Sequence, residues 1–302
     1  MHYKKDRVAL KPPLGWNSWD CYGPAVNEVQ LLGNARYMAE HLKAHGWQYV
    51  VCDIQWYEPE AGQRHWEYNR FAELCMDGFG RLIPAENRFP SAANGAGFKP
   101  IADQIHALGL KFGIHIMRGV PRLAVHHALP VKGTNVTCRD IAHASSICAW
   151  NTDMYGVDAD RDGAQAYYDA IFELYASWGV DYVKVDDICN VKITPLEPYS
   201  ARREIEMIRH AIDRCGRDMV LSLSPGPAVL EEAWHLAKNV NMWRITDDFW
   251  DNWDSLKEMF WRCERWQAHV KPGQFPDCDM LPLGHITIAA DGICLLYTSD
   301  AA

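Results

Sequence analysis

Short apolar runs alternate with helix-periodic segments along most of this chain, and few folds accept that order. Seven runs read as buried parallel strands: 13–19, 48–55, 111–117, 181–186, 219–224, 241–246 and, with a fainter pattern, 278–283. Between them, Leu31, Leu32, Ala35, Met38, Ala39 and Leu42 mark one helix face that ends before Gly46. Pro100 opens a second helix with Ile101, Ile105 and Leu108 on one face. Tyr167, Ile171, Leu174 and Trp178 mark a third, and Ile205, Ile208 and Ile212 a fourth. Further helices are expected near 229–239 and 253–269. A doubly wound sheet would carry a GxGxxG turn after its first strand, and none is present. The expected fold is an α/β barrel of the (β/α)8 TIM type, incomplete, with about seven strands in the chain. After Leu283-Gly284 too little sequence remains for a final helix, strand and helix, so the eighth strand is expected to be missing.

The C-terminal ends of parallel barrel strands gather on one face, where barrel enzymes keep their chemistry. Two runs end there in aspartate pairs: Asp181-Tyr182-Val183-Lys184-Val185-Asp186-Asp187 and Met242-Trp243-Arg244-Ile245-Thr246-Asp247-Asp248. Two carboxyls on one face are what glycoside hydrolysis uses, one as nucleophile and one as proton donor. Lys184 lies two positions before Asp186, so both side chains leave the strand on the same side. There the ammonium lowers the pKa of the carboxylate. On these residues alone, a helix cap or a buried structural acid explains Asp186 equally well. A metal-dependent barrel enzyme is a further alternative, with Asp53, Asp186, Asp187 and Asp248 caging a divalent ion. Lys184 would push a positive charge into that cage and argues against it.

A net charge of −9 gives no basic face for nucleic acid or an anionic membrane. No run approaches the roughly 18 apolar residues of a membrane span, and no apolar leader core follows Met1-His2-Tyr3-Lys4-Lys5-Asp6. The ten cysteines show no CxxC pair and no cluster with zinc-ligand spacing. These features lead to the expectation of a cytoplasmic protein with reduced thiols and no metal. Most of the thirteen tryptophans are expected in the core.

Four motifs follow one another in order: Pro12-Pro13-Leu14-Gly15-Trp16-Asn17-Ser18-Trp19, Lys184-Val185-Asp186, Trp243-Arg244 with Asp248, and Asp277-Cys278-Asp279-Met280-Leu281-Pro282. With Gly80-Arg81-Leu82-Ile83-Pro84 and Gly97-Phe98-Lys99-Pro100, they resemble glycoside hydrolase family 27, the α-galactosidase family. The resemblance runs from about residue 10 to about residue 288. It implies a retaining, exo-acting hydrolase that releases terminal α-D-galactose by double displacement and needs no cofactor. It implies Asp186 as nucleophile and Asp248, rather than its neighbour Asp247, as general acid/base. Arg244 and Lys184 would reach sugar hydroxyls, Trp19 would border the ring, and Met280 and Asp279 would sit on the seventh strand near the pocket. The substrate would be a galactoside or arabinopyranoside glycan, with no nucleic-acid or membrane partner.

The sequence also departs from the family pattern. The second strand of family α-galactosidases usually ends in two aspartates that bind O4 and O6. Here Val51-Cys52-Asp53-Ile54-Gln55-Trp56 keeps the first and puts Ile54 at the second. β-L-Arabinopyranose has the ring stereochemistry of α-D-galactose without the hydroxymethyl arm, so a β-L-arabinopyranosidase is the alternative. His115 stands where a tyrosine is common, and Ser224 where some relatives carry an acid near O2. Family members place a β-sandwich domain after the barrel, which this sequence has no room for, and its last residues resemble no part of the family. The expected organisation is a truncated catalytic barrel over 10–290 and a non-family tail over 291–302, and an inactive fragment is a third possibility.

Overall fold

The computed structural model describes residues 3–62, 69, 71–190, 201–249 and 253–280, and the strands among them form two sheets. The strands in chain order are β1 (Gly15–Asn17), β2 (Tyr49–Cys52) and β3 (Lys111–Met117), then β4 (Val120–Pro121), β5 (Ala142–Ile147) and β6 (Met154–Val157), then β7 (Tyr182–Asp186), β8 (Val220–Leu223), β9 (Met242–Arg244) and β10 (Phe275–Asp277). The main sheet is parallel throughout, in the order β1-β2-β3-β7-β8-β9-β10. It is the curled seven-stranded wall of a (β/α)8-type barrel. β4, β6 and β5 form a separate antiparallel sheet in the connection between β3 and β7.

Alternation along each strand sorts the side chains into two cores. Val50, Cys52, Val183, Val185, Leu221 and Leu223 join the large cluster that includes the helices. Tyr49, Val51, Tyr182, Val220 and Phe275 form a small second cluster on the opposite side of the sheet. On β7, Tyr182 belongs to that second side, and so therefore do Lys184 and Asp186 further along. The small cluster closes one end of the barrel interior and leaves the carboxyl ends of the strands for polar groups.

The crossover helices are set by local signals. Helix Glu28–His41 starts from a reciprocal cap: Asn27 Oδ1 accepts from the Gln30 N–H, and Gln30 Oε1 accepts from the Asn27 N–H, each at 3.0 Å. Helix Ala164–Trp178 stops at Gly179, whose φ of 84° suits glycine alone at no steric cost. Helices Lys99–Ala107, Arg202–Arg214, Ala233–Asn239 and Trp253–Trp266 fall where the periodicity predicts them. No helix among the described residues is long and apolar enough to cross a membrane.

One expectation needs correction. The last parallel strand is Phe275–Asp277 rather than 278–283, so Asp279 and Met280 follow the strand instead of lying on it. Pro276 masks that strand in the sequence, yet β10 tolerates it because among the described residues it pairs only with β9. Residues 281–283 lie outside the described residues, as does the whole stretch 281–302 with its expected tail. The antiparallel sheet was not expected at all. Of the described tryptophans, Trp16, Trp56, Trp178, Trp243 and Trp266 are buried and Trp19 and Trp47 pack partly buried against the large core, whereas Trp150, Trp234, Trp253 and Trp261 are exposed.

Candidate active site

Register brings the first group together. His115 on β3 pairs with Lys184 on β7, and Met117 pairs with Asp186 at the strand end. Asp53 follows the last residue of neighbouring β2. The His115 ring thereby stands between two carboxylates. Its Nδ1 makes a short hydrogen bond with Asp53 Oδ1, and its Nε2 lies 3.1 Å from Asp186 Oδ2. Lys184 Nζ lies 3.6 Å from Asp53 Oδ2. The Asp187 N–H donates to Asp186 Oδ1 at 3.0 Å.

These contacts decide the ionisation of the group. Burial alone would raise the Asp186 pKa, but the His115 imidazole, the Lys184 ammonium and the Asp187 N–H outweigh it and hold the carboxyl well below its ordinary range. Asp53 is depressed in the same way, with burial overcome by His115 and Lys184. The reverse holds for His115: burial opposes its charge, and Asp53 and Asp186 outweigh burial and raise its pKa. Asp53 Oδ2 accepts no hydrogen bond from a described residue, although it is fully buried. It is an acceptor left free beside a cation.

A second group forms at the ends of β9 and β10. Arg244 holds Asp279 through Nη1 at 2.7 Å and Asp248 through Nη2 at 3.1 Å. Asp279 is buried, but the Asp248 side chain is 62% exposed. Asp248, the residue that the resemblance implies as general acid/base, therefore stands at the surface of the site. Arg244, expected to reach a sugar hydroxyl, is oriented by these two carboxylates, and its Nε makes no hydrogen bond among the described residues.

A cavity of about 500 Å³ lies between β1 and β10, and Asp20, Lys184, Arg244, Asp279 and Met280 are among the residues that line it. Asp20 follows Trp19 at the end of β1, inside the short helical turn Trp19–Tyr22. Its carboxyl is pushed up to about 7, first by burial and then by Asp279, Asp53 and Asp248, against the pull of Lys184. The folded state therefore keeps a proton on Asp20 that the unfolded chain loses near pH 4. Stability falls as pH rises from about 4 to 7 and does not return above it. Asp20→Asn is expected to match the parent at pH 4 and to exceed it at pH 8 by about 2 kcal/mol, roughly half the full shift because the group is partly solvated. Thermal melts at the two pH values check this, and an equal difference at both would refute it.

The remaining expected residues lie around these groups. Trp19 is partly buried at the end of β1 and its backbone N–H donates to Asn17 Oδ1 at 2.8 Å. Ile54 is fully enclosed and belongs to the large apolar cluster, and its N–H donates to Asp53 Oδ1 at 2.9 Å. Ser224 follows β8 and is buried, and its Oγ makes no hydrogen bond among the described residues. Asp53, His115, Lys184 and Asp186 are thus in mutual contact, while Arg244 and Asp248 form a neighbouring set. Sequence reasoning passed over Asp20, although it is a carboxyl at a strand end like the others.

Strand-end carboxylates on a curled parallel β/α wall, one of them held ionised by a cation and a histidine, define the architecture of the barrel glycoside hydrolases. Comparison with known proteins agrees. The family model described as alpha galactosidase A (Melibiase_2) matches residues 158–294. Alpha-galactosidase 3 of Arabidopsis thaliana is 30% identical, with 92% of this chain and 50% of that protein covered. A crystal structure of a GH27 β-L-arabinopyranosidase from Geobacillus stearothermophilus is 60% identical with a TM-score of 0.91, covering 95% of this chain and 64% of that one. A structure described as a putative α-N-acetylgalactosaminidase from Bacillus halodurans is also 60% identical, with a TM-score of 0.78, covering 94% of this chain and 63% of that one. Residues 158–294 match that family model, and the likeness to these family 27 proteins extends over more than nine-tenths of this chain. The chain spans about half the length of the curated relatives it matches.

Proposed function

We propose that this protein is a retaining exo-glycosidase that removes a terminal β-L-arabinopyranosyl residue, with terminal α-D-galactose as the second substrate. The observation that carries the mechanism is the Asp186 carboxylate, held ionised by His115, Lys184 and the Asp187 N–H. Asp186 attacks the anomeric carbon while Asp248 gives its proton to the departing glycosidic oxygen, and a glycosyl ester forms. Asp248 then takes a proton from water, whose oxygen attacks the same carbon and releases Asp186. Two inversions return the original anomeric configuration. Asp53, with one oxygen free of hydrogen bonds beside Lys184, offers an acceptor for a ring hydroxyl.

The sugar preference rests on Ile54. An isoleucine accepts no hydrogen bond, so a galactose O6 at that position loses a partner worth roughly 1–3 kcal/mol. Arabinopyranose has no such hydroxyl to strand. Similarity to a family 27 β-L-arabinopyranosidase supports this choice over galactose. The deciding experiment is hydrolysis of the aryl α-D-galactopyranoside and β-L-arabinopyranoside side by side. A higher kcat/KM on the arabinoside is expected, and a galactoside preference would reverse the reading. Ile54→Asp is expected to move the ratio of the two kcat/KM values toward galactose by about tenfold or more. It should also lower the melting temperature, because it buries a carboxylate next to Asp53.

A further inference from the structure

Arg118 lies one residue beyond β3 and has no part in the mechanism above, yet it is 2% exposed and every arm of its guanidinium is engaged. Nε donates to the Asp187 carbonyl and Nη2 to Asp187 Oδ2, each at 2.6 Å. Nη1 donates to Ser146 Oγ and to Glu204 Oε1, each at 2.8 Å. Glu204 is held in turn by the Tyr168 hydroxyl at 2.5 Å. The backbone of Arg118 adds one more contact: its N–H donates to the Asp186 carbonyl at 3.1 Å. That carbonyl belongs to the same peptide unit as the Asp187 N–H, which points at Asp186 Oδ1 from 3.0 Å.

Asp187 has a φ of 55°, in the left-handed region that a residue with a side chain enters only at a cost. Something must hold it there, and the guanidinium grips its carbonyl and its carboxylate at once. We propose that Arg118 is a positioning residue for the Asp186 carboxylate and acts through the Asp187 N–H. The proposal rests on Asp186 being the nucleophile. Lysine cannot replace the planar fork, because an ammonium has no two parallel donors at that spacing. Ser146 on β5, Tyr168 on helix Ala164–Trp178 and Glu204 on helix Arg202–Arg214 brace the fork from three elements, so its orientation is fixed independently of the substrate.

The test is covalent trapping with 2-deoxy-2-fluoro-β-L-arabinopyranosyl fluoride, followed by peptide mapping. In the trapping step an Asp186 oxygen bonds to the anomeric carbon and fluoride leaves with the electron pair, so the inactivation rate reads attack by this carboxylate. Arg118→Lys is expected to slow labelling of Asp186 by about 10- to 100-fold, with less than a threefold change in inhibitor binding, at temperatures well below its melting point. The acid limb of the rate–pH profile should move upward, because Asp186 loses a donor that favours its charge. Asp187→Asn keeps the backbone contacts and tolerates the left-handed conformation, and a smaller slowing is expected. It supplies the reading on its own if Arg118→Lys fails to fold. Labelling of Asp186 at the parental rate in both variants, with only the melting temperature lowered, would make Arg118 purely structural and overturn the proposal. A label on another residue in the parent protein would overturn the nucleophile assignment itself, and the two failures are told apart by the mapped peptide.

Discussion

Asp186→Asn is expected to lower kcat/KM on an aryl glycoside by about 10⁴-fold or more, the scale on which removing a covalent nucleophile acts. Asparagine has nearly the same shape, so the strand and its register should persist. The chemistry is lost because a neutral amide cannot form the glycosyl ester. The same substitution leaves His115 and Lys184 with Asp53 as their remaining carboxylate partner in that group. A lower melting temperature is therefore expected at neutral pH. The sign follows from the depressed pKa: an ionised Asp186 contributes stability above the ordinary carboxyl range, and that contribution fades only as pH falls through its low folded value. The difference in melting temperature between parent and variant should accordingly shrink in strong acid. Steady-state rates and melts on the same preparations check both halves. Activity within tenfold of the parent would remove Asp186 from the mechanism.

Asp248→Ala is expected to produce the second-largest effect, and its size should depend on the leaving group. For a phenyl glycoside, whose oxygen must be protonated as it departs, the loss is about 10²- to 10⁴-fold. For a dinitrophenyl glycoside, whose oxygen leaves unaided, the bond-breaking step should hardly change. Because Asp248 is 62% exposed, its removal leaves no packed cavity, and Arg244 keeps its 2.7 Å partner Asp279. Stability should stay close to that of the parent, so the kinetic effect can be read without a folding correction. Asp247→Ala is the control, expected to be nearly silent for both substrates. The opposite pattern, with Asp247 showing the dependence on leaving group, would shift the proton-transfer role by one residue.

Parallel strands buried on both faces announce themselves in sequence, and β3 appears at the bounds its apolar run predicts. β10 does not, because Pro276 breaks the pattern in a strand that pairs on one side among the described residues. β5 was invisible for another reason. Its Ala-His-Ala-Ser-Ser-Ile sequence carries two exposed positions and little apolar periodicity, and it is held by antiparallel pairing with β6 rather than by burial. The candidate site divides in the same way. Lys184 and Asp186 share a side of β7 by simple alternation, and that much is legible from spacing. The bridging position of His115 depends on the cross-strand register of β3 with β7, which no local pattern encodes. Arg118 is harder still, since its partners are contributed by three separate parts of the chain.

The register of β7 also separates what this molecule can vary from what it cannot. Among the described residues the antiparallel sheet shares no ladder with the barrel wall, so a residue inserted beside the exposed Arg161 and Asp162, between β6 and helix Ala164–Trp178, would add little beyond loop-closure entropy. A one-residue slip of β7 against β3 would instead turn Val183 and Val185 toward the carboxyl-end chemistry and drive Lys184 and Asp186 into the apolar shell. Drift in length is therefore tolerated at the rim and disruptive in the wall, and lineages of this protein should record their history in the connection from β3 to β7.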